Sequence, residues 1–352
     1  MTDLETCWDV LPKVSRSFAL CIKILPEPVN RQMMLSYMIY RVIDTIEDSH
    51  AETEAKKALF EEFVSILGGK KANEGKLAKL KHTMLTCLDY TYEKDLLENL
   101  DALTHTYFAE PMKIRSAIRR WGRVMARGMY EFQSKKIDTF KDQDLYSYYV
   151  AGVVGYLIND LLYYNDIITA KAKRRLAKHA KNFGLALQKV NILRDVAQDI
   201  PSKRCYWPIA VLNKYQLNYD TLLDEKNREN AMKVLREEID DALQHIYAGM
   251  YYVLSLPNTA LRVRMFCLIP LFMAIESYVK CIDNKEIFES QKTVKIGRGA
   301  VQDIVAKSTL WGSSNSDLVK WFSQTIAKAS PTLAKSKYMR GIIRMQEAPV
   351  RE

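Results

Sequence analysis

Apolar side chains recur at intervals of three and four residues along almost the whole chain, which is the spacing of amphipathic helices. No run of the sequence alternates apolar and polar residues as a strand does. An early helix is predicted after Pro26 and Pro28, with Asn30 as its candidate cap, and 68–82 is a solvated connection into a helix. Further helices are expected near 91–108, 111–134, 142–165, 170–199, 226–255, 259–282 and 315–328. The pattern predicts an all-α fold in which 199–215, with two prolines, is a loop.

The early helix carries a row of acidic residues beside its apolar face. Because a helix turns about 100° per residue, Asp44 and Asp48 share one stripe, and Tyr37 and Arg41 extend it. The opposite side is apolar and comprises Leu35, Ile39, Val42 and Ile46. Asp44, Glu47 and Asp48 are candidate Mg²⁺ ligands, since Mg²⁺ prefers carboxylate oxygens and often shares its coordination sphere with phosphates. A single cluster of this kind is more often a solvated helix face.

A second helix, within 185–200, repeats this arrangement. Its polar stripe comprises Gln188, Asn191, Asp195 and Asp199. Each helix therefore has an aspartate pair at positions i and i+4, and each has an arginine close to the first aspartate, Arg41 in one and Arg194 in the other. If the two helices face each other in a bundle, four aspartates converge and require cations. Mg²⁺ would then create a diphosphate-binding site in which the arginines grip phosphate oxygens.

The segment 146–164 is apolar around most of its circumference, which predicts a central buried helix. Gly152 and Gly155 each cost about 1 kcal/mol in a helix interior. Two explanations stay open for these glycines: close packing against another helix, or room for a long apolar ligand.

The net charge of +10 favours an anionic partner: nucleic acid, a membrane surface or a phosphorylated small molecule. Nucleic acid is disfavoured, because no basic run is interleaved with aromatic residues and no zinc-finger spacing occurs. The six cysteines are scattered without C-x-x-C, and no secretory signal opens the chain, so we expect reduced thiols in the cytoplasm. The longest apolar runs, near 148–158 and 265–275, are shorter than the ~20 residues that cross a bilayer.

No linker marks a domain boundary, so one domain over 1–352 is expected, with a core at about 12–305 and a C-terminal helix and basic tail over 306–352. The end of the tail, 328–352, is predicted to be frayed, and its basic charge leaves a peripheral contact with an anionic membrane surface open. We expect a monomer without a transmembrane anchor.

Several segments together carry a resemblance to a known family. They read KVSRSFALCI, RVIDTIED, YSYYVAGVVG, NILRDVAQD, YWP, RVRMFCLIPLFMAI and VKIGRG. Over about 12–305 the chain resembles the squalene/phytoene synthase family of head-to-head prenyltransferases. The last two segments look like the squalene-forming members. The resemblance implies an all-α isoprenoid-synthase fold with a central apolar cavity. It also implies condensation of two farnesyl diphosphates through presqualene diphosphate, then reduction to squalene, with NADPH and Mg²⁺, or alternatively Mn²⁺.

The resemblance also implies roles for individual residues. Those matching the two metal motifs are Asp44, Glu47, Asp48, Asp195 and Asp199. Those matching substrate- or diphosphate-facing positions are Ser15, Arg16, Tyr37, Arg41, Gln188, Asn191 and Arg194. Those matching the cavity wall are Phe18, Val150, Val154, Leu187, Phe266 and Pro270. Tyr146 matches the tyrosine proposed to assist proton removal. Those matching positions associated with the nicotinamide cofactor are Arg16, Arg41, Arg194 and Lys295.

The chain departs from the family pattern in three places. Gln198 stands where the second motif commonly has Glu, and Gly297 stands where a basic residue is expected, with Arg298 as its candidate substitute. Eukaryotic members end in a membrane anchor, and this chain shows none. No G-x-G-x-x-G follows a strand, so any NADPH is expected in or beside the helical cavity.

Other interpretations stay open at this point. Tyr146 is a poor base alone at a pKa near 10, and the alternative is a buried hydroxyl with a partner. Lys295 and Arg298 have ordinary surface charge as their alternative. The competing enzyme is a phytoene or dehydrosqualene synthase without the reductive step. A non-catalytic scaffold should have lost the carboxylates, and a nucleic-acid binder should weaken steeply with salt.

Overall fold

The computed structural model describes residues 1–87, 93–202, 204–292, 294–329 and 337–344, with the backbone alone at 329, 337 and 338. Within these ranges the chain forms helices and no strand, which confirms the all-α prediction. Its contacts divide it into two compact units, Met1–Lys135 with Tyr156–Lys173, and Lys136–Gly155 with Arg174–Glu352. The single domain over 1–352 stays a prediction.

The helices follow one another in this order. The first unit begins with α1 (Asp3–Val14), α2 (Arg16–Ile24), α3 (Val29–Asp48), α4 (Thr53–Leu67), α5 (Glu74–Thr86), α6 (Glu93–Glu98), α7 (Leu100–Phe108) and α8 (Met112–Glu131). Then come α9 (Phe140–Ser147), a π-helical segment (Tyr148–Gly152), α10 (Val153–Tyr164) and α11 (Ala170–Arg194). The chain continues with α12 (Val196–Asp199), α13 (Ile209–Lys214), α14 (Arg228–Leu254), α15 (Leu261–Cys281), α16 (Arg298–Trp311), α17 (Asn315–Ala329) and α18 (Lys337–Arg344). Short 3₁₀ turns cover Glu225–Asn227 and Lys285–Phe288.

The apolar face of α3 forms part of the core of the first unit, where α3 packs on α8. Leu35, Val42 and Ile46 are fully buried, as the periodicity predicts. The hydroxyl of Tyr40 donates to the Ile118 carbonyl at 3.0 Å, and a Cβ on Gly122 would come within 3.1 Å of the Tyr40 ring. This packing leaves the polar stripe of α3 as its more exposed side.

The glycines of the apolar segment mark close helix packing within the second unit. A Cβ on Gly155 would lie 1.9 Å from the Ala180 carbonyl oxygen, and a Cβ on Gly184 would lie 2.2 Å from the Ala151 carbonyl oxygen. Both distances are too short for any Cβ atom. The backbone of α11 therefore packs directly against the backbone of this segment. Of the two explanations offered by the sequence, close packing is the one that these contacts support. The π-helical turn just before α10 was not predicted.

Several predicted details are wrong. The helix α3 begins at Val29 with Pro28 as its cap residue, so Asn30 lies in the first turn and does not cap it. The helix predicted over 170–199 is interrupted at Asp195. The predicted loop 199–215 contains α13. Besides α13 and α18, the helices α1, α2, α4 and α16 were not placed by the periodicity. Within the tail, α18 packs on α14 and α17 through Met339 and Ile342, so this part is not frayed.

No helix in the described ranges combines the length and the apolar composition that crossing a bilayer requires.

Candidate active site

The acidic end of α3 is built around an arginine that two carboxylates share. Arg41 pairs with Asp44 one turn along the helix, and its Nη2 atom lies 2.5 Å from Oε1 of Glu93 at the start of α6. Burial alone would lower the pKa of Arg41, but the two carboxylates raise it, so the guanidinium stays charged. Glu47 is buried and Asp48 is exposed. The structure thus places a fixed positive charge against the first aspartate of the motif.

The residues that precede this motif also meet. Ser15 caps α2 and accepts a hydrogen bond from the Phe18 amide at 3.3 Å, so it fixes the first turn of that helix. The rings of Phe18 and Tyr37 lie 5.3 Å apart, centroid to centroid. Burial raises the pKa of Tyr37, against a hydrogen bond with Ser15 and the charge of Arg41 that lower it. Tyr37 is therefore a neutral hydroxyl at physiological pH. Arg16 is exposed at the start of α2.

The second acidic motif lies at the junction of α11 and α12. Asp195 falls between the two helices, yet its amide still bonds the Asn191 carbonyl at 2.9 Å, and the Asp199 amide bonds the Asp195 carbonyl at 2.9 Å. The helical path therefore continues through the break, and the aspartates keep their one-turn spacing. Gln188, Asp195 and Asp199 are partly exposed and Asn191 is exposed, whereas Leu185, Leu193 and Val196 are buried.

Arg194 binds the neighbouring aspartate with two hydrogen bonds. Its Nε and Nη2 atoms lie 2.7 Å and 2.5 Å from the two carboxylate oxygens of Asp195. Burial would lower the pKa of Arg194, but this bidentate contact raises it. Gln198, the departure from the family motif, donates to the Lys292 carbonyl at 3.3 Å. Its side chain is thus joined to the segment before α16.

Tyr146, the candidate for proton removal, is a buried residue on α9. Its ring stacks on that of Tyr206, with 4.5 Å between the ring centroids and 15° between the planes. Of the predicted wall residues, Phe266 is buried, and Phe18, Val150, Val154, Leu187 and Pro270 are partly exposed. Partial exposure of apolar side chains on helices is compatible with the predicted ligand-facing wall.

The predicted cofactor residues Lys295 and Arg298 are exposed, Arg298 as the first residue of α16. The Lys295 carbonyl accepts from Lys280 Nζ at 2.9 Å. Gly297 has an extended backbone, with φ of −74°, and a Cβ there would meet nothing within 4 Å. The structure therefore has room at position 297 for the basic side chain that the family pattern expects there.

A further carboxylate cluster in the second unit comprises residues outside the predicted motifs. Ligand atoms of Asp144, Asp241 and His245 all lie within 4.8 Å of one another, as metal ligands would. The ammonium of Lys189, which is 1 % exposed, occupies this space: its Nζ lies 2.7 Å from Asp144 Oδ1 and also pairs with Asp241. The cluster already contains its cation, so a divalent ion would have to displace a buried lysine.

Sequence reasoning missed two of these features. Glu93 is 52 positions from Arg41, and only the fold brings them together. Lys189 did leave a signal, since it stands four residues after Leu185 and four before Leu193 on the buried side of α11. A lysine among buried positions requires a buried anion as its partner.

Solved structures define the class of the fold. The chain matches the structure of TcSQS in complex with a ligand at a TM-score of 0.81 and 29% identity, over 98% of this chain and 97% of that one. A dehydrosqualene synthase structure matches at a TM-score of 0.60 and 18% identity, over 88% of this chain and 96% of that one. The fold is that of the all-α isoprenoid synthases.

Sequence comparisons then give the family. The model of squalene/phytoene synthases matches residues 11–299, and the chain belongs to this family of prenyltransferases. Squalene synthase of Rattus norvegicus is 29% identical over 98% of this chain and 80% of the rat protein. Squalene synthase of Solanum lycopersicum is 31% identical over 86% of this chain and 70% of the tomato protein.

Proposed function

We propose that this chain joins two farnesyl diphosphates head to head into presqualene diphosphate, reduces that intermediate with NADPH to squalene, and releases diphosphate. The similarity to squalene synthases over nearly the whole chain supports this activity over an unreduced product. The observation that carries the proposal is the pairing found in both acidic motifs: an arginine bound to the first aspartate, Arg41 to Asp44 and Arg194 to Asp195.

The donor set fits a divalent metal. Four of the five predicted ligands, Asp44, Asp48, Asp195 and Asp199, offer carboxylates at least partly exposed to solvent, and oxygen ligands are what Mg²⁺ prefers. Glu47, the fifth, is buried. Arg41 and Arg194 each hold a positive charge against the first aspartate of a motif, and a bound cation would add to this neutralisation. Bound Mg²⁺ would supply neutralisation of the charge that develops on a diphosphate leaving group.

The arginines have a second use when the substrate arrives. A guanidinium bound to a carboxylate can turn its N–H fork to phosphate oxygens, which it matches in geometry. Glu93 would keep hold of Arg41 during that exchange, so the arginine stays beside the leaving group. Loss of diphosphate leaves an allylic carbocation, which requires walls without water. The partly exposed apolar residues Val150, Val154 and Leu187 of the second unit are the proposed walls.

Tyr146 is proposed to assist removal of the proton that closes the cyclopropane of presqualene diphosphate. As a phenol it needs an acceptor beyond itself, and the departing diphosphate is the natural one. NADPH would supply the hydride of the second half-reaction. The residues proposed to bind it are Lys295 and Arg298, which would bind its phosphate, and also Arg16, Arg41 and Arg194. Cytoplasmic location, a monomeric state and a peripheral membrane contact stay predictions from the sequence.

Product analysis tests the proposal. The purified protein is incubated with farnesyl diphosphate and Mg²⁺, with and without NADPH, and the products are separated by gas chromatography after removal of phosphates. We expect squalene when NADPH is present and presqualene diphosphate, detected as its alcohol, when it is omitted. Dehydrosqualene or phytoene-type products that do not change with NADPH would contradict the reductive step, and no condensation product would contradict the activity.

A further inference from the structure

Tyr206, whose ring stacks on that of Tyr146, is held in place by a network of largely buried hydrogen bonds. Tyr206 lies in the short segment between α12 and α13, and its ring covers that of Tyr146 nearly in parallel, at 15° and 4.5 Å. Aromatic pairs at this separation attract each other, and the covered ring loses freedom to tilt. Tyr206 therefore restricts the plane in which the Tyr146 phenol lies.

The backbone of Tyr206 is anchored to the helix that carries Tyr146. Gln143 on α9 is fully buried, and its Nε2 donates to the Tyr206 carbonyl at 2.9 Å. Gln143 and Tyr146 are three residues apart, so they lie on one face of α9. One side of this helix thus bears both the phenol and the amide that fixes the phenol's neighbour.

The side-chain amide of Gln143 is fixed in one orientation, because both its oxygen and its nitrogen make hydrogen bonds. Its Oε1 accepts from Lys189 Nζ at 2.5 Å, and its Nε2 also donates to Glu238 Oε2 at 3.0 Å. A flipped amide would place its NH₂ group against the Lys189 ammonium and its oxygen against the Tyr206 carbonyl, which costs free energy in a buried network. Lys189 is in turn fixed by Asp144 and Asp241.

We propose that Tyr206 is a positioning residue for Tyr146, and that the buried Gln143 amide, oriented by Lys189 and Glu238, holds Tyr206 in place. This inference rests on the proposed function, which gives Tyr146 its part in proton removal. Tyr206 acts through Tyr146 and does not itself take the proton. The stacking ring is the part that matters, because it restricts the tilt of the Tyr146 ring that carries the hydroxyl.

A matched pair of variants tests the role of the ring. Tyr206→Leu removes the stacking surface and Tyr206→Phe keeps it. For formation of presqualene diphosphate without NADPH, Tyr206→Leu should lower kcat on the order of tenfold to hundredfold and change KM for farnesyl diphosphate less than about twofold. Tyr206→Phe should restore kcat to near the native value. Equal losses in both variants, or a native kcat in Tyr206→Leu, would overturn the proposal.

A double-mutant cycle with Tyr146 excludes a merely structural loss. In a Tyr146→Phe background, Tyr206→Leu should have little further effect on kcat, since the group it positions is gone. Additive losses would show that Tyr206 acts independently of Tyr146, which is the opposite of the proposal. As a control for folding, the melting temperature of each variant should stay near the native value.

An independent readout separates this proposal from the proposed function. In protein labelled with ¹³C at the tyrosine Cζ, the Tyr146 resonance is identified by its loss in Tyr146→Phe. It should shift in Tyr206→Leu and in Gln143→Leu, and stay near its native position in Glu238→Gln, where an amide oxygen still accepts from Gln143. If the native protein makes no condensation product, the proposed function fails while this contact is still tested. An unchanged resonance in Tyr206→Leu would contradict the positioning role whatever the activity.

Discussion

Two kinds of carboxylate cluster occur in this protein, and they differ in how their charge is balanced. In the acidic motifs, Asp44 and Asp195 are partly exposed, and each is balanced by an arginine that is itself 31 % or 25 % exposed. In the other cluster, called the buried cluster after its cation, Asp144 and Asp241 are also partly exposed, but Lys189, which balances them, is 1 % exposed. The motifs can exchange their cation with solvent, whereas the buried cluster has its cation built in. The first arrangement suits binding and the second suits positioning.

The largest effect is expected from the acidic motifs. Asp44→Asn and Asp195→Asn should each lower turnover of farnesyl diphosphate by on the order of a thousandfold or more, since each removes a charge that the leaving-group chemistry requires. Both aspartates are partly exposed, so circular dichroism and the melting temperature should stay near native. Asp303→Asn is the matched control: Asp303 is an exposed aspartate on α16 that pairs with Lys307, and its loss should leave turnover unchanged. Near-native turnover in either motif variant would contradict the metal assignment.

The buried cluster should respond in stability. Lys189→Met leaves Asp144 and Asp241 without their buried cation, and we expect the free energy of unfolding to fall by about 3–5 kcal/mol. Lys307→Met, at a partly exposed lysine, should cost less than about 1 kcal/mol. Urea unfolding followed by circular dichroism measures both. Equal costs would mean that the buried cluster is no more than a surface ion pair in energetic terms.

The network around Lys189 and Gln143 includes a further carboxyl group, that of Glu238, which predicts a pH dependence of stability. Burial raises the pKa of Glu238 to about 8, against a hydrogen bond from Gln143 and the charge of Lys189 that lower it. Below pH about 4.5, folded and unfolded chains both hold this proton; between pH 4.5 and 8 only the folded chain holds it. The contribution of Glu238 to stability is therefore full below about pH 4.5 and is lost as pH rises to about 8.

Glu238→Gln should remove this dependence. Between pH 5 and 8, the free energy of unfolding of the native protein should fall relative to that of the variant by on the order of 3–4 kcal/mol, as measured by urea unfolding at each pH. Taking the difference between the two proteins cancels the other titrating groups. A difference that is constant over this range, or that changes with the opposite sign, would contradict a neutral buried Glu238.

The smallest effect is expected at Glu93, which distinguishes the two arginines of the acidic motifs. Arg41 has a second carboxylate in Glu93, whereas both hydrogen bonds of Arg194 described above go to Asp195. Glu93→Gln should lower kcat/KM by roughly fivefold, about 1 kcal/mol, through looser placement of Arg41. Steady-state kinetics with Glu286→Gln, an exposed carboxylate paired with Lys292, provide the control. No change at Glu93 would mean that Asp44 alone places Arg41.

The sequence predicted most of what depends on local periodicity. The buried face of α3, the aspartate spacing on α11 and α12, and the all-α fold follow from residues three and four apart. What it missed depends on contacts distant in sequence. Glu93 meets Arg41 only through the fold. The network that holds Tyr206 joins Gln143 on α9, Lys189 on α11 and Glu238 on α14. The break at Asp195 was missed because its backbone hydrogen bonds keep the helical spacing that periodicity detects.

The measurement that tests the central claim most directly is calorimetric titration of inorganic diphosphate in the presence of Mg²⁺. The account predicts that the native protein and Asp303→Asn bind the metal–diphosphate complex, and that Asp44→Asn and Asp195→Asn each lose this binding. Asp241→Asn, which alters the buried cluster, should retain it as long as the variant is folded. Native binding in both motif variants, or a loss confined to Asp241→Asn, would contradict the account.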